Sequence, residues 1–357
     1  MLEASVLIFS LIACAALIRA SRGLCLRLGH VDRPGGHKHH DQPTPLCGGL
    51  AIVLTVLVAG AFIGFSQGYV GLALGMIVLA AVGAMDDARH LPAAIRLAAQ
   101  ALAVLVGMVL VGDVGITSLG HLFGSAPVTL DTLAIAFTVF AVVGVLNAIN
   151  MIDGVDGLAG GYGLLVLVIL AAAQGLTGAA GDTLIYAFIG ALLAFLACNM
   201  RTPWRRRAGI FLGDAGSLML GFALTWFAVS CSQGQTPALR PITMVWLFGL
   251  PLADAGFLII ARLVSNGSPM RADRRHFHHL LLQRGLSPGQ TCWAWLAVAA
   301  LFMLVGLAGE WGGVAEVVMC YGYCAVFAAY CILNGYLWSR TNRPRRETMQ
   351  SRAVKSG

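Results

Sequence analysis

Long apolar stretches alternate with short polar segments along almost the whole chain. Eleven stretches of about 17 residues or more contain mainly apolar and small side chains: 4–20, 46–65, 69–85, 93–112, 128–149, 160–176, 182–199, 210–231, 240–263, 291–309 and 313–338. Because a helix rises about 1.5 Å per residue, about 20 such residues span the roughly 30 Å hydrocarbon core of a bilayer. The pattern therefore predicts an all-α fold, a polytopic membrane bundle of about eleven transmembrane helices.

The composition agrees with an integral membrane protein. Of the 357 residues, 58% are hydrophobic and only 11% are charged, and the mean hydropathy is +0.82. Soluble domains carry about 25% charged residues. The nine cysteines lie mostly inside the apolar stretches and form no C-x-x-C pair, which indicates core packing rather than a disulfide framework or a zinc site.

Positive charge is concentrated on one side of the predicted bundle. Of the 23 Lys and Arg residues, 22 fall in alternate loops, at 19–45, 86–96, 199–209, 262–290 and in the tail from Arg340. Cytoplasmic loops carry such an excess, so we expect the N-terminus outside and the C-terminus in the cytosol. We expect one transmembrane domain over 1–339 and a basic tail over 340–357. The net charge of +7 then fits lipid headgroups and does not indicate nucleic acid.

Adjacent carboxylates end the third apolar stretch, in "GAMDDARHLP". Asp86 and Asp87 repel each other unless a cation or a basic group lies between them. A solvated helix end explains the pair equally well, so the motif alone does not decide between a site and an ordinary terminus.

The fifth stretch ends in "NAINMIDGVDG", where Asn147, Asn150, Asp153 and Asp156 recur every three residues. At that spacing the side chains can share one side of a helix end. Asp and Asn supply the oxygen ligands that suit Mg²⁺. Asx turns that close the helix are the alternative, but they do not require two amides within the apolar stretch. We therefore favour a functional site.

Two further polar clusters lie on the same predicted side. Asp214 stands between two glycines in "GIFLGDAGSLMLG", where the eighth helix begins; a simple N-cap is the alternative there. The second cluster, "RADRRHFHHLLLQRG", has three histidines within four residues, preceded by two arginines. No cysteine accompanies them and two of the histidines are adjacent, which suits a single zinc ion poorly. Arginine and histidine N–H groups suit phosphate, and a merely solvated basic loop remains open.

Together the clusters supply carboxylates for a divalent cation and basic groups for phosphates. This combination is typical of Mg²⁺-assisted phosphoryl transfer, and the chain contains no Walker A motif. A cation-coupled transporter is an alternative of another class. It predicts polar residues near the bilayer midplane in broken helices, for which Asp254, after Pro251 in the ninth stretch, is the one candidate.

At these motifs the chain resembles the polyprenyl-phosphate N-acetylhexosamine-1-phosphate transferases of glycosyltransferase family 4. The matching elements are Asp86–Asp87, the N-x-x-N-x-x-D-G-x-D-G run at 147–157, G-D-x-G-S at 213–217, H-x-H-H at 276–279 and the loop "VDRPGGHKHHDQPTPLCGG" at 31–49. In that loop His37 stands where sugar-transferring bacterial members commonly have arginine. The resemblance spans about residues 30–285, and the last two apolar stretches add only hydrophobicity.

The resemblance implies a reaction and a cofactor. An oxygen of a polyprenyl phosphate attacks the β-phosphorus of a UDP-sugar, which gives a polyprenyl-diphosphate-sugar and UMP. Asp214, with Asn150, would coordinate Mg²⁺, which Mn²⁺ could replace. The residues implied in catalysis are Asp86, Asp87, Asp153 and Asp156. Asp86 would deprotonate the lipid phosphate or only position it, because a phosphate monoester with a second pKa near 6 is already mostly dianionic at pH 7.

Further residues are implied in substrate binding: Lys38, His39, Asn147, Phe211, Arg274, Arg275, His276, His278 and His279. Phe211 would stack on uracil, and the basic residues would hold sugar and diphosphate. Leu280 and Leu281 follow His279, where the muramoyl-pentapeptide branch usually has an aromatic and an acidic residue. The segment therefore more closely resembles the members that start O-antigen, enterobacterial common antigen or teichoic acid synthesis with UDP-GlcNAc. Another UDP-N-acetylhexosamine, UDP-MurNAc-pentapeptide, or an inactive scaffold remains open.

The expected partners are therefore a UDP-sugar, undecaprenyl phosphate and the membrane itself, with no nucleic acid. The resemblance also suggests a homodimer, which the residues do not test. We expect the protein in the bacterial cytoplasmic (inner) membrane with its site facing the cytosol.

Overall fold

The computed structural model describes residues 1–32, 43–64, 66–177, 182–264 and 275–354, and these residues are overwhelmingly helical. The helices are α1 Leu2–Leu28, α2 Gly48–Ile63, α3 Gln67–Arg89, α4 Ala93–Ala103 with a π-helical continuation Val104–Val111, α5 Ala134–Ile152, α6 Leu158–Thr177, α7 Thr183–Asn199, α8 Gly213–Ser232, α9 Pro241–Leu247, α10 Gly249–Val264, α11 Phe277–Gln283, α12 Pro288–Trp311 and α13 Glu316–Val354. Two short strands, β1 Val31–Asp32 and β2 Thr44–Pro45, form an antiparallel pair. The predicted all-α membrane bundle is confirmed.

Each apolar stretch predicted from the sequence corresponds to one helix or to two consecutive helices, but the helices differ in length. Within the described residues, eight are long and apolar enough to cross a membrane. Two more, α2 and α7, have only 16 and 17 residues, and one predicted span is broken. The number of crossings and the orientation of the termini stay predictions.

The broken span corrects the prediction of one continuous helix over 240–263. Helices α9 and α10 meet there at an angle of 72°. Pro251 has no backbone N–H, so it cannot donate to the carbonyl four residues earlier, on Leu247. That carbonyl instead accepts a hydrogen bond from the Tyr162 hydroxyl at 2.8 Å. Proline chemistry and a replacement donor from α6 together explain the break.

Helix α8 forms the centre of the bundle. Its side chains are buried along almost the whole length, as expected for a helix that is apolar on every side. Helices α2, α3, α5 and α6 pack around it, and α1 packs along α7 at the periphery. The first turn of this central helix therefore lies among the ends of several neighbours.

Two glycines allow α2 and α3 to approach that first turn closely. A Cβ atom on Gly49 would lie 2.3 Å from Cα of Gly216, and one on Gly83 would lie 2.4 Å from Cα of Ala215. Small residues at such crossings let helix backbones touch in membrane proteins. Asp86 and Asp87 lie one turn after Gly83 in α3, so this approach brings both carboxylates directly to the start of α8.

Candidate active site

A cavity of about 420 Å³ opens at one end of the bundle, beside the first turn of α8. Six carboxylates line it, from β1, α3, the turn after α5, and α8: Asp32, Asp86, Asp87, Asp153, Asp156 and Asp214. Phe211, Arg201, His90 and His279 also face it. Residues from all four polar clusters of the sequence therefore meet around one space of ordinary ligand-binding size.

Asp214 and Asn150, which the resemblance assigns to the metal ion, are in direct contact. The side-chain amide of Asn150 donates to Oδ1 of Asp214 at 2.8 Å and to the hydroxyl oxygen of Ser217 at 2.9 Å. Asn150 occupies the last turn of α5, and the other two residues occupy the first turn of α8. The contact orients the Asp214 carboxylate at the point where these two helix ends meet.

The carboxylates that line this cavity outnumber the basic side chains that line it. Oδ1 of Asp87 accepts a hydrogen bond from the backbone N–H of Asp214 at 3.1 Å. Its Oδ2 atom is buried and has no hydrogen-bond partner among the described residues. Burial, and then the charges of Asp214, Asp87 and Asp156, raise the pKa of Asp153 well above its usual range. A cation placed among these groups would relieve both the orphaned oxygen and the repulsion.

These residues fit an Mg²⁺ ion that protein ligands coordinate only in part. Within the described parts of the chain, no three His, Cys, Asp or Glu side chains converge tightly enough to enclose an ion. Mg²⁺ commonly binds to one or two carboxylates, several waters and the substrate's phosphates rather than to an all-protein cage. Asp214 and the orphaned oxygen of Asp87 match that requirement, with Asn150 holding Asp214 in place.

Asp86 is held more firmly than the other carboxylates of the cavity. It is 4% exposed, and its Oδ1 accepts from the backbone N–H of Leu91 at 2.7 Å. Its Oδ2 accepts from Arg96 at 2.5 Å. With both oxygens occupied, the geometry favours a positioning role for Asp86 over the proton-abstracting role that the sequence left open.

Arg201 is the guanidinium group that faces the cavity among the described residues, and it contacts Asp156. Its Nε atom lies 2.6 Å from Oδ2 of that carboxylate, and both residues line the cavity. Arg201, counted in the sequence among the positive charges of the 199–209 loop, thus also contributes to the cavity. Arg201 follows the end of α7 by two positions, which places it at the cavity and not in the exposed part of the loop.

The histidine segment 276–279 packs onto the acidic turn after α5. A Cβ atom on Gly154 would lie 2.8 Å from Nε2 of His278, so the absence of a side chain there lets the imidazole ring approach. His278 is 1% exposed. Burial, followed by the charges of His279 and His276, holds the pKa of His278 well below its usual range. His278 is therefore a neutral packing group, whereas His279 lines the cavity itself.

Known proteins share both this region and most of the chain. Residues 69–232 match the family model described as glycosyl transferase family 4. Over 338 residues the chain is 32% identical to the undecaprenyl-phosphate alpha-N-acetylglucosaminyl 1-phosphate transferase of Escherichia coli O157:H7, an alignment that covers 93% of this chain and 92% of that protein. The chain belongs to glycosyl transferase family 4.

Two further relatives with the same name are equally similar to this family 4 protein. The one from Salmonella typhi is 33% identical over 319 residues, covering 85% of this chain and 86% of its own. The one from Haemophilus influenzae is 31% identical over 343 residues, covering 94% of both chains. The family resemblance inferred from the sequence motifs is confirmed.

Not every residue that the sequence assigned to this family 4 site reaches the cavity. The amide of Asn147 donates to Oε1 of Gln100 at 2.7 Å and to the carbonyl of Val143 at 2.8 Å. Asn147 thus links α5 to α4 and does not line the cavity, and its contact with substrate stays a prediction. Arg275 is described but does not line the cavity either. His276 and His278 are described but do not line the cavity, and Lys38, His39 and Arg274 lie outside the described residues.

Several residues of this site were missed by sequence reasoning. Asp32 begins the loop motif at 31–49 but was not assigned a role, and Arg96 and Arg201 were counted only as topogenic charges. Asp254, the one midplane candidate of the transporter alternative, lies in the span that is broken and contacts His276 at 3.0 Å. The family membership and the names of the relatives favour the transferase over the transporter.

Proposed function

We propose that this family 4 protein transfers N-acetylglucosamine-1-phosphate from UDP-GlcNAc to undecaprenyl phosphate and releases UMP. The proposal is carried by one observation: a single cavity joins Asp86, Asp87, Asp153, Asp156 and Asp214 to an aromatic ring and to basic groups. The names of the relatives supply the substrates. The product, undecaprenyl-diphosphate-GlcNAc, would initiate a cell-surface glycan.

In the proposed reaction, an oxygen of the lipid phosphate attacks the β-phosphorus of UDP-GlcNAc. The bond from that phosphorus to the oxygen bridging the two phosphates breaks, and UMP leaves with that oxygen. Asp86 and Arg96 would orient the lipid phosphate from the end of α3, since the ion pair presents a guanidinium with further N–H donors. Asp87 would act beside them.

Electrostatics supports a divalent cation in this proposal. Six carboxylates line the cavity, against one described arginine and two histidines, so a diphosphate would meet net repulsion from the protein alone. Asp214, supported by Asn150 and Asp87, would hold Mg²⁺, with Mn²⁺ as a substitute. The bound ion would neutralise charge on the diphosphate and polarise its P–O bonds.

The remaining cavity residues would bind the sugar nucleotide. Phe211 offers an aromatic face for uracil. His279 would donate a hydrogen bond to sugar or diphosphate. The Asp156–Arg201 pair offers both a hydrogen-bond acceptor and a fork of donors, which suits a substrate that carries hydroxyl groups and phosphates together.

In this proposal the cavity faces the cytosol of a bacterial cell and the protein lies in the inner membrane. The cavity is lined by residues of four of the five Lys- and Arg-rich segments, which carry 16 of the 23 Lys and Arg residues, in agreement with the positive-inside rule. Two single-cysteine variants in a cysteine-free background, Arg206→Cys and His121→Cys, test the orientation. A membrane-impermeant maleimide applied to intact cells should label only His121→Cys, and labelling of Arg206→Cys alone would reverse the topology.

The decisive experiment uses the purified protein in detergent or nanodiscs with undecaprenyl phosphate, Mg²⁺ and one UDP-sugar at a time. We expect UMP release with UDP-GlcNAc that depends on the lipid phosphate and stops with EDTA. Faster release with UDP-GalNAc or with UDP-MurNAc-pentapeptide would assign another donor to the same chemistry. No UMP with any of them would refute the proposal.

A further inference from the structure

A buried carboxylate behind the cavity holds the histidine segment in place. Asp254 lies in α10 and is 1% exposed. Its Oδ2 atom lies 3.0 Å from Nδ1 of His276. Its Oδ1 atom accepts hydrogen bonds from the backbone N–H of Phe277 at 2.9 Å and from the hydroxyl of Tyr330 at 2.7 Å. One side chain therefore joins α10, α11 and α13.

The two carboxylate oxygens of Asp254 accept hydrogen bonds from different partners. A carboxylate only accepts hydrogen bonds, so Nδ1 of His276 carries the hydrogen in this pair and Nε2 is left for another partner. Such a contact fixes both the orientation of a histidine ring and the position of its proton. Oδ1 satisfies the first N–H of α11, whose own N-cap residue, His276, provides no side-chain cap.

This contact is connected to the cavity through ring packing. The ring of His276 is stacked on that of His278, with centroids 5.4 Å apart, and the ring of His278 lies 4.2 Å from that of His279. His278 in turn packs against Gly154 of the acidic turn, and His279 lines the cavity. A displacement of His276 would therefore move the ring of His278 and, through it, the ring of His279 that borders the substrate space.

We propose that Asp254 is a positioning residue for the sugar-nucleotide side of the site, acting through His276, with Tyr330 of α13 as its support. The inference rests on the proposed function, which it deepens by adding a residue outside the cavity. It also assigns α13 a part in the site, although its apolar stretch had been expected to contribute only hydrophobicity.

The most selective variant is Asp254→Asn. Its remaining oxygen can still accept from Phe277 and Tyr330, while its NH₂ group replaces the oxygen that faces His276, so the cap survives and the histidine proton is displaced. We expect kcat/KM for UDP-GlcNAc to fall about 10–100-fold, the usual cost of removing a partner that orients a functional histidine. The KM for undecaprenyl phosphate should not change. An equal rise in both KM values, or no change in either, would overturn the proposal.

Asp182→Asn is the matched control. Asp182 also accepts from a tyrosine hydroxyl, that of Tyr69 at 2.7 Å, and from a helix-start N–H, that of Leu184 at 3.0 Å. It lies at the opposite end of the bundle, and within the described residues its hydrogen bonds go to Tyr69, Gln174 and Leu184 and not to a histidine. This variant should keep the wild-type kcat/KM, so a loss in Asp254→Asn alone reports the contact with His276.

A double-mutant cycle with His276→Gln tests whether Asp254 acts through that ring. If it does, kcat/KM of the double variant should be at most about twofold lower than that of the less active single variant. The effects of residues that act as a unit are not additive. Multiplicative losses would show that Asp254 acts elsewhere and would refute the proposed route.

Hydrogen–deuterium exchange separates this inference from the proposed function, because it needs no substrate. Amides of 277–283 should exchange faster in Asp254→Ala and in Tyr330→Phe than in the wild type, and at the wild-type rate in Asp254→Asn. Unchanged exchange in the first two variants would overturn the positioning role. Absence of UMP release by the wild-type protein would instead count against the proposed function alone.

Discussion

Four carboxylates at the two ends of the helix bundle differ in how they are satisfied. Away from the cavity, Asp182 accepts from a tyrosine hydroxyl and a helix N–H, and Glu310 accepts from the guanidinium and the backbone N–H of Arg240, each at 3.1 Å. At the cavity, one oxygen of Asp87 is buried without a hydrogen-bond partner among the described residues, and burial raises the pKa of Asp153. The protein itself satisfies Asp182 and Glu310, whereas Asp87 keeps an unpaired oxygen and Asp153 is crowded by like charges.

The unpaired oxygen of Asp87 has a physical cost. A buried polar atom without a hydrogen bond costs about 1–3 kcal/mol, and more when it is charged. Perturbed ionisable groups concentrate in clefts where substrates or ions bind. The cavity carboxylates therefore reduce the stability of the free protein, and a bound cation with its diphosphate would restore it.

The largest effect is expected from Asp214→Ala. If Asp214 is the principal metal ligand, as proposed, its loss should abolish UMP release while the protein remains folded and inserted. Raising Mg²⁺ should rescue little, because a missing ligand cannot be replaced geometrically. Activity measured across a Mg²⁺ titration, with thermal unfolding as the folding check, decides the point. Near-normal turnover would remove Asp214 from the metal site and weaken the contrast between the two ends.

Asp86→Asn should produce the next largest defect. Loss of a group that activates or orients the nucleophile lowers kcat by about 10²–10⁴-fold, and binding of UDP-GlcNAc should stay nearly intact. If the lipid phosphate needs deprotonation, the defect should shrink as pH rises past its second pKa, near 6.

Arg96→Ala sharpens this prediction, because the Asp86–Arg96 pair suggests positioning. A defect in both variants that does not change with pH would support positioning, and single-turnover rates across pH measure it. Loss of UDP-GlcNAc binding in Asp86→Asn would assign that carboxylate to the nucleotide instead.

Sequence reasoning predicted the fold and the acidic half of the site better than its basic half. Apolar stretches and helix-end carboxylates are local features, so Asp86, Asp87 and Asp214 could be recognised from their immediate neighbours. The ion pairs of Arg96, Arg201 and His276 join residues separated by 10, 45 and 22 positions. An arginine that serves topology has the same sequence signature as one that reaches a substrate, so only packing distinguishes them.

The bend between α9 and α10 was visible in part. Pro251 marks a missing N–H, but its consequence depends on Tyr162, which supplies a donor to the freed carbonyl of Leu247 from a helix about 85 residues away in sequence. Proline alone does not distinguish a gentle kink from the 72° bend that is found.

A smaller effect, confined to one substrate, is expected from Asp156→Asn. The carboxylate faces the cavity and contacts Arg201 at 2.6 Å, so its loss frees the guanidinium from its fixed position. We expect a KM for UDP-GlcNAc raised by about tenfold, with kcat nearly unchanged, as for a group that binds ground and transition states alike. Steady-state kinetics with each substrate varied in turn measure this. A raised KM for undecaprenyl phosphate instead would exchange the roles of Asp156 and Asp86.

The smallest effect on activity is expected from Asp182→Ala, at the end of the bundle away from the cavity. Asp182 caps α7 and holds Tyr69 of α3, so its removal should destabilise the protein by about 0.5–2 kcal/mol, the usual cost of losing an N-cap. Thermal unfolding should therefore shift to lower temperature, whereas kcat and both KM values should stay at wild-type levels below that transition.

Asp153→Ala should show the reverse: a higher unfolding temperature in Mg²⁺-free buffer, because a crowded carboxylate is removed, and a loss of turnover. If both substitutions lowered stability and activity alike, paired and unpaired carboxylates would not serve different purposes in this molecule.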